Sequence, residues 1–462
     1  MIFSRVAFQV AIAAHLANVS AARHYLIHKQ HRHRTRKGTR LATRTIRRQR
    51  RSIESIHREL GPIYFRRAYR MSKKSFHILL TTIHAYLRAS LLHPQETTNA
   101  PNGRIPLATH LAIAIRYFAG GEAYDLQTTF GVSHSQIFVS VDAVMDAVNS
   151  CPSISIDFPT CYDEQRKLAR SFEACSAADI SGCCGCIDGY LVWTHKPSEN
   201  DCTYLGIGSS KFLCGRKLKF GLNLQAVCDS KLRFLDISIL FGGATSDLLS
   251  FECSNLRHKL GTPGFLAPGL FLIGDNAYIN QTFFATPYPN VRSAQDEIHK
   301  QKDTYNYYLS NLRVKIECAF GMLVNRWGFL RKKTPQKYSV QKTISAVSCL
   351  CRLHNFLINQ NIADNIEDTT TIPPHTCEDD LSLRLGGAAP LTSYNNEGFL
   401  TAHQLRDAGH HQEDHDRRGM TQQANRVAQQ VDITMPRETL CQMIADKDLR
   451  RPAVRRMAGR RS

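Results

Sequence analysis

The chain has 462 residues, with 59 Lys and Arg against 39 Asp and Glu, and a formal charge of +20. That charge excludes an acidic, self-solvating chain and points to a polyanionic partner, nucleic acid first, whose binding weakens with salt. A chain this long buries a full core without disulfides, so its 15 cysteines are expected to pack as small hydrophobes in a reducing compartment. No run reaches the roughly 20 apolar residues of a membrane helix, and no membrane partner is expected.

The segment Val6 to Val19 is apolar and Ala-rich behind Arg5, like a signal h-region or a transit peptide, but His15 and Asn18 interrupt it, and a short helix is the preferred reading. No acidic residue precedes Glu54. Instead Arg32, Arg34, Arg36, Lys37, Arg40, Arg44, Arg47, Arg48, Arg50 and Arg51 follow one another, interleaved with His28, His31 and His33. Such a run cannot bury a core, so residues 1–60 read as a mostly disordered basic arm. Its expected work is phosphate contact, with Arg32, Arg34, Arg36, Lys37, Arg47, Arg48, Arg50 and Arg51 as DNA-binding candidates, and import into the nucleus.

Residues 61–150 read as an all-α domain. Ser72 is an N-cap candidate ahead of Phe76 to Leu80, and Leu107 to Phe118 forms a helix closed by Gly120-Gly121. Tyr124 to Phe130, the turn Gly131-Val-Ser133, and Gln136 to Val148 then give a helix-turn-helix. His134, Ser135, Gln136 and Ser140 are the exposed residues expected to reach DNA, although many such helix pairs only pack.

Further on, apolar runs end in carboxylates. Gly-Cys-Ile-Asp188 and Leu-Phe-Leu-Ile-Gly-Asp275 each read as a buried strand delivering an Asp. Between them Phe220, Leu222, Leu224, Ala226 and Cys228 alternate, Asp229-Ser230-Lys231 turns the chain, and Arg233 to Leu240 makes the second strand of a hairpin. Asp247 to Leu260 follows as one helix. Leu309, Leu312, Ile316, Phe320, Leu323, Trp327 and Leu330 then recur at steps of three and four, which predicts a helix of about five to six turns with Glu317 on the edge of its stripe. Arg313 is one turn before Glu317 and placed to orient it. Strand with Asp, hairpin, helix, strand with Asp and helix with Glu is the order of an RNase H-like core, expected over residues 180–360. Cys183, Cys184 and Cys186, like Cys349, Cys351 and His354, read as core rather than structural zinc, because no pair at zinc spacing completes either group. The tail, residues 361–462, reads as mostly disordered apart from a helix at Pro436 to Asp446.

Five motifs in order extend this reading: Cys186-Ile-Asp-Gly189, Leu224-Gln-Ala-Val-Cys-Asp229, Gly274-Asp-Asn-Ala-Tyr278, Leu312 to Trp327 around Glu317, and Leu353-His-Asn-Phe-Leu357. From about Cys184 to Asn355 the chain resembles the PIF/Harbinger-type transposases, a branch of the DDE superfamily endonucleases. The resemblance implies an Asp188, Asp275, Glu317 triad that serves both as catalytic residues and as ligands for Mg²⁺ or Mn²⁺. It also implies two ions, one activating the attacking oxygen and one stabilising the leaving oxygen, in the cutting of DNA phosphodiester bonds. Two stretches depart from the family pattern: Tyr190-Leu191 follows the first Asp-Gly, and Gly242-Gly-Ala-Thr-Ser246 precedes Asp247. Like charges crowded there are expected to raise the pKa of at least one carboxylate in the absence of metal. A Myb-like DNA-binding partner protein and a homo-oligomer are further implied partners. The rival reading is a domesticated, catalytically inactive DNA-binding regulatory or architectural protein; an interaction protein without DNA binding is a third.

Overall fold

In a computed structural model of the chain, residues 50–91, 104–289, 291, 296–364 and 436–452 are described. Arg32, Arg34, Arg36, Lys37, Arg47 and Arg48 of the basic arm lie outside them, as do residues 365–435 of the tail. The first helix, α1, runs from Ile53 to Tyr69, inside the span assigned above to the arm. Ser52 caps it by accepting a hydrogen bond from the Ser55 amide, and Pro62, which has no amide proton to donate, kinks it after Gly61. Arg50 donates to the Arg104 carbonyl at 2.9 Å, which ties the start of this helix to the fold, and Arg51 pairs with Glu59 of the helix itself.

Four more helices follow: α2 (Lys73–Leu91), α3 (Leu107–Phe118), α4 (Ala123–Phe130) and α5 (His134–Ser150). Ser72 caps α2 through the Ser75 amide, as its position predicts. α3 is buried on nearly every side, which suits its almost continuous apolar sequence. α4 ends at Gly131, whose φ of +63° only glycine adopts without cost, and α5 starts at once with Ser133 as its N-cap. After α6 (Tyr162–Glu173) the chain enters the sheet.

The strands are β1 (Cys183–Trp193), β2 (Leu213–Cys214), β3 (Lys219–Cys228), β4 (Phe234–Gly242), β5 (Phe271–Ile273) and β6 (Phe284–Ala285), with the short helix α7 (Glu199–Leu205) between the first two. Their order is β2-β3-β1-β5-β6, with β4 also paired to β3. β1 is antiparallel to β3 and parallel to β5, and β5 is parallel to β6. β1 is therefore central and covered on both faces, which explains why Cys183 to Ile187 is a continuous buried run rather than an alternating one.

One face of the sheet packs on α8 (Asp247–Glu252) and α9 (Asn255–Leu260) through Phe251, Leu256 and Leu260. These two replace the single helix expected over 247–260. Ser254 breaks the run by turning its hydroxyl back to accept from the Arg257 amide, capping a new helix. The other face packs on α10 (Glu297–Arg326) and α11 (Val340–Asp364). At 30 residues α10 is longer than its apolar stripe suggests, because Asp296 caps it well ahead of Leu309. It also ends sooner: Trp327 is its C-cap and Leu330 lies in the following 3₁₀ turn, yet both are buried, so the stripe continues past the helix. One hydrophobic cluster runs unbroken from Ile53 in α1 through α5 to Leu357 in α11, joining the helical region to the sheet. Among the described residues no helix is long and apolar enough to cross a membrane.

Candidate active site

The register of the central strands builds the site. Cys186 of β1 pairs with Ile273 of the parallel β5. Asp188 and Asp275 each stand two residues further on, which sets them level with one another, Asp188 still within β1 and Asp275 just past the end of β5. Asp188 Oδ1 accepts from the Gly189 amide at 2.7 Å, and its Oδ2 accepts from Arg313 Nη1 at 3.3 Å. The Asp275 carboxylate accepts from the Ala277 amide at 2.8 Å, which fixes the turn after β5. Glu317 arrives from α10, where Arg313 Nη2 meets its Oε1 at 2.6 Å. Arg313 thus spans Asp188 and Glu317 with one guanidinium.

The electrostatics follow from this crowding. Burial raises the Asp188 carboxyl to about 7, with Asp275 and Asp247 adding to the rise and the Gly189 amide and Arg313 opposing it. The sequence reading expects such a rise from crowded like charges; burial is its largest cause, and the neighbouring carboxylates add to it.

Asp247 is a fourth carboxylate that the sequence reading treats only as the start of a helix. Its Oδ1 accepts from Gln225 Nε2 at 2.7 Å and from Asn223 Nδ2 at 3.1 Å, and Gln225 in turn accepts from the Tyr278 hydroxyl at 2.6 Å. Gly189 makes room for it, since a Cβ there would lie 2.0 Å from Asp247 Oδ1. The available signal was Asn223 and Gln225, two amides on an otherwise apolar strand that are 7% and 3% exposed and so need a buried polar partner. Lys217, exposed in the turn between β2 and β3, has its ammonium pKa lowered first by desolvation and then by Arg216 while Asp247 and Asp188 oppose the shift, so it lies within the field of the site.

The donor set suits a hard divalent cation, because carboxylate oxygens are the ligands Mg²⁺ and Mn²⁺ favour. The convergence does not yet suit one. Among the described residues no group of three or more His, Cys, Asp or Glu side chains stands close enough to hold a metal ion. Asp188 and Glu317 are instead held by Arg313.

The helix-turn-helix candidates divide. Ser135 is exposed and Gln136 half-buried at the start of α5, while His134 leans on the Tyr124 ring at 4.8 Å. Ser140 does not belong with them. It is fully buried, donates to the Gln136 carbonyl at 2.7 Å and accepts from His110 Nδ1 at 2.8 Å, so α3 has claimed it for packing and it cannot reach DNA. Cys183, Cys184, Cys186, Cys349 and Cys351 are all buried, with thiols that burial pushes up. Between them His354 donates from Nε2 to the Leu232 carbonyl at 2.9 Å and accepts from Arg326 at Nδ1, as a core histidine does.

Residues 187–355 match the family described as DDE superfamily endonuclease. A protein of Arabidopsis thaliana called Protein ALP1-like is 22% identical over 315 residues, which cover 64% of this chain and 71% of the relative. No solved structure matches the chain. The matched segment opens one residue before Asp188, contains Asp275 and Glu317, and ends at Asn355, so over this segment, which holds all three carboxylates, the chain is similar to the DDE superfamily endonucleases.

Proposed function

We propose that the protein is a divalent-metal-dependent DNA endonuclease of the transposase type, with Asp188, Asp275 and Glu317 as catalytic and metal-binding residues and Asp247 as a fourth carboxylate. The carrying observation is the β1–β5 register, which sets Asp188 and Asp275 level with one another along neighbouring parallel strands with Glu317 beside them on α10. An RNase H-like core is part of the proposal. It is supported by the strand order β4-β3-β1-β5-β6, with β3 antiparallel and β5 parallel to the central strand. Bound Mg²⁺ or Mn²⁺ would supply charge neutralisation at the phosphodiester and a more acidic water. The chain supplies the rest: the sheet fixes two carboxylates, Asn223 and Gln225 aim Asp247, and α10 brings a third element that closes the site.

DNA is the proposed substrate, with Ser135 and Gln136 at the start of α5 as base-reading candidates and the arm from Arg32 to Arg51 as the phosphate-binding, nuclear-targeting segment. The excess of 59 basic over 39 acidic residues supports a polyanionic partner. A Myb-like partner protein and self-association belong to the same proposal.

The second reading, a DNA-binding protein that does not cut, is favoured by one observation, the absence of a three-ligand group among the described residues. Cleavage of linear duplex DNA by the full chain in Mn²⁺ decides between them. On the endonuclease reading Asp188→Ala, Asp275→Ala and Glu317→Ala each abolish cutting while retaining DNA binding. Cutting by Asp275→Ala at the parent rate overturns the site, and binding without cutting by the parent leaves the second reading in place.

A further inference from the structure

Arg313 bonds directly to two members of the proposed triad, with Nη1 3.3 Å from Asp188 Oδ2 and Nη2 2.6 Å from Glu317 Oε1. Arg313 and Asp188 are each 21% exposed while Glu317 is 40% exposed, so the contact to Asp188 is the less solvent-screened half of the bridge. The Glu317 contact is a helical i,i+4 pair with the base N-terminal to the acid, the weaker of the two orders in an isolated helix. The bridge across to β1 therefore adds a tertiary component that the helix alone does not supply.

A divalent ion shared by these two carboxylates needs an oxygen from each at about 2.0–2.2 Å from its centre. A planar guanidinium with one nitrogen on each carboxylate fills the same space. Both cannot be there together, and a unit positive charge about 4 Å from a dication is strongly unfavourable even in a partly solvated cleft.

We propose that Arg313 is a positioning residue that stands in for the divalent cation: in the cation-free protein it holds Asp188 and Glu317 together, and it must release at least one of them before the ion can be shared. This rests on the nuclease reading above. It accounts for why Asp188, Asp247, Asp275 and Glu317 form no three-ligand group among the described residues. It also makes cation uptake a displacement, so the affinity measured for the ion is net of breaking the Arg313 bridge.

The test is Mn²⁺ titration of the full chain by calorimetry, with thermal melts in chelator and in Mn²⁺, for the parent, Arg313→Gln and Arg313→Lys. Arg313→Gln is expected to bind Mn²⁺ about tenfold more tightly, the order expected when one unit charge is removed from beside a dication. It should also melt lower than the parent in chelator, because two carboxylates lose their counter-charge, and gain more on adding Mn²⁺. Arg313→Lys keeps the charge but cannot bridge both carboxylates, so its affinity should fall between the other two. It decides the matter if the glutamine variant does not fold. A residue that merely orients the ligands predicts the opposite, weaker Mn²⁺ binding in both variants, and that result or equal affinity overturns the proposal. If neither the parent nor any variant binds Mn²⁺, with or without DNA, the nuclease reading fails and takes this inference with it. Binding by a parent that the variants do not exceed removes Arg313 alone.

Discussion

Asp188 and its neighbour Gly189 show how much of this site depends on single atoms. Asp188 ends a buried run and carries a carboxyl raised to about 7, first by burial and then by Asp275 and Asp247. In the unfolded chain the same group titrates near 3.9. Between these two values the folded protein holds more protons than the unfolded one, so without metal this group's contribution to stability falls as pH rises from about 4 to 7 and stays low above that. Asp188→Asn keeps the acceptor for the Gly189 amide and loses the titration. In chelator it should match or trail the parent at pH 5 and exceed it at pH 8 by an amount on the order of a few kcal/mol, read from urea unfolding at both pH values. Parallel pH profiles for the two proteins would remove the claim that Asp188 is held at such a cost. The places of Asp188 in β1, Asp275 just past β5 and Glu317 in α10 are legible in the sequence because an apolar pattern names each element. Asp247 is not, since its partners Asn223, Gln225 and Gly189 lie on other strands, and two amides on an apolar strand ask for a buried polar partner without saying which.

Elements were readable where the chain punctuates itself and misread where tertiary contacts decide. Leu107 to Phe118 is found residue for residue, because Pro106 opens it and Gly120 and Gly121 close it. The run from Asp247 to Leu260 has a helical stripe throughout, but Ser254 caps rather than continues, and a serine inside a helical pattern does not announce which it will do. On α5 the periodicity is right and the exposure is wrong. Ser140 is one turn beyond Gln136, yet α3 crosses there and His110 takes its hydroxyl. Because the Ser140 proton goes to the Gln136 carbonyl, His110 donates from Nδ1 and is held neutral, its pKa pushed down to about 4 first by burial and then by Arg50 and Arg104. Ser140→Ala would leave that buried donor without an acceptor at a cost of about 1–3 kcal/mol. Urea unfolding should record this loss, and DNA affinity measured in parallel on the folded variant should not change. Gln136→Ala should show the reverse, with stability kept and base discrimination lost. A drop in DNA affinity for folded Ser140→Ala would return Ser140 to the DNA-contacting set.

At the scale of the whole molecule the chain returns to the sheet and its covering helices from far along the sequence. The helix α12 (Pro436–Asp446) lies against α10, the helix that carries Glu317. Composition separates this segment from the polar tail around it, but not its destination, because Leu440 and Ile444 are too few to specify a docking face before the main hydrophobic cluster takes them in. Leu440 and Ile444 are 4% and 1% exposed, and the Arg437 guanidinium sits 4.5 Å from the Tyr288 ring centre. Beyond the helix Lys447 pairs with Asp179 at 3.0 Å and Arg451 with Asp303 at 2.9 Å, the second on α10 itself. The two ion pairs are exposed and contribute little, so the apolar pair and the Arg437 contact carry the docking. Ile444→Ala should therefore cost about 2–4 kcal/mol, as a fully buried isoleucine does, whereas Arg451→Ala should cost under about 1 kcal/mol. The comparison is made on the full chain by urea unfolding. Because α12 braces the N-terminal half of α10 and Glu317 lies in its C-terminal half, ending the chain after residue 435 should lower the melting temperature more than it lowers the affinity for Mn²⁺. An Ile444→Ala protein as stable as the parent would show that α12 does not hold this position in solution, and the brace on α10 would have to be given up.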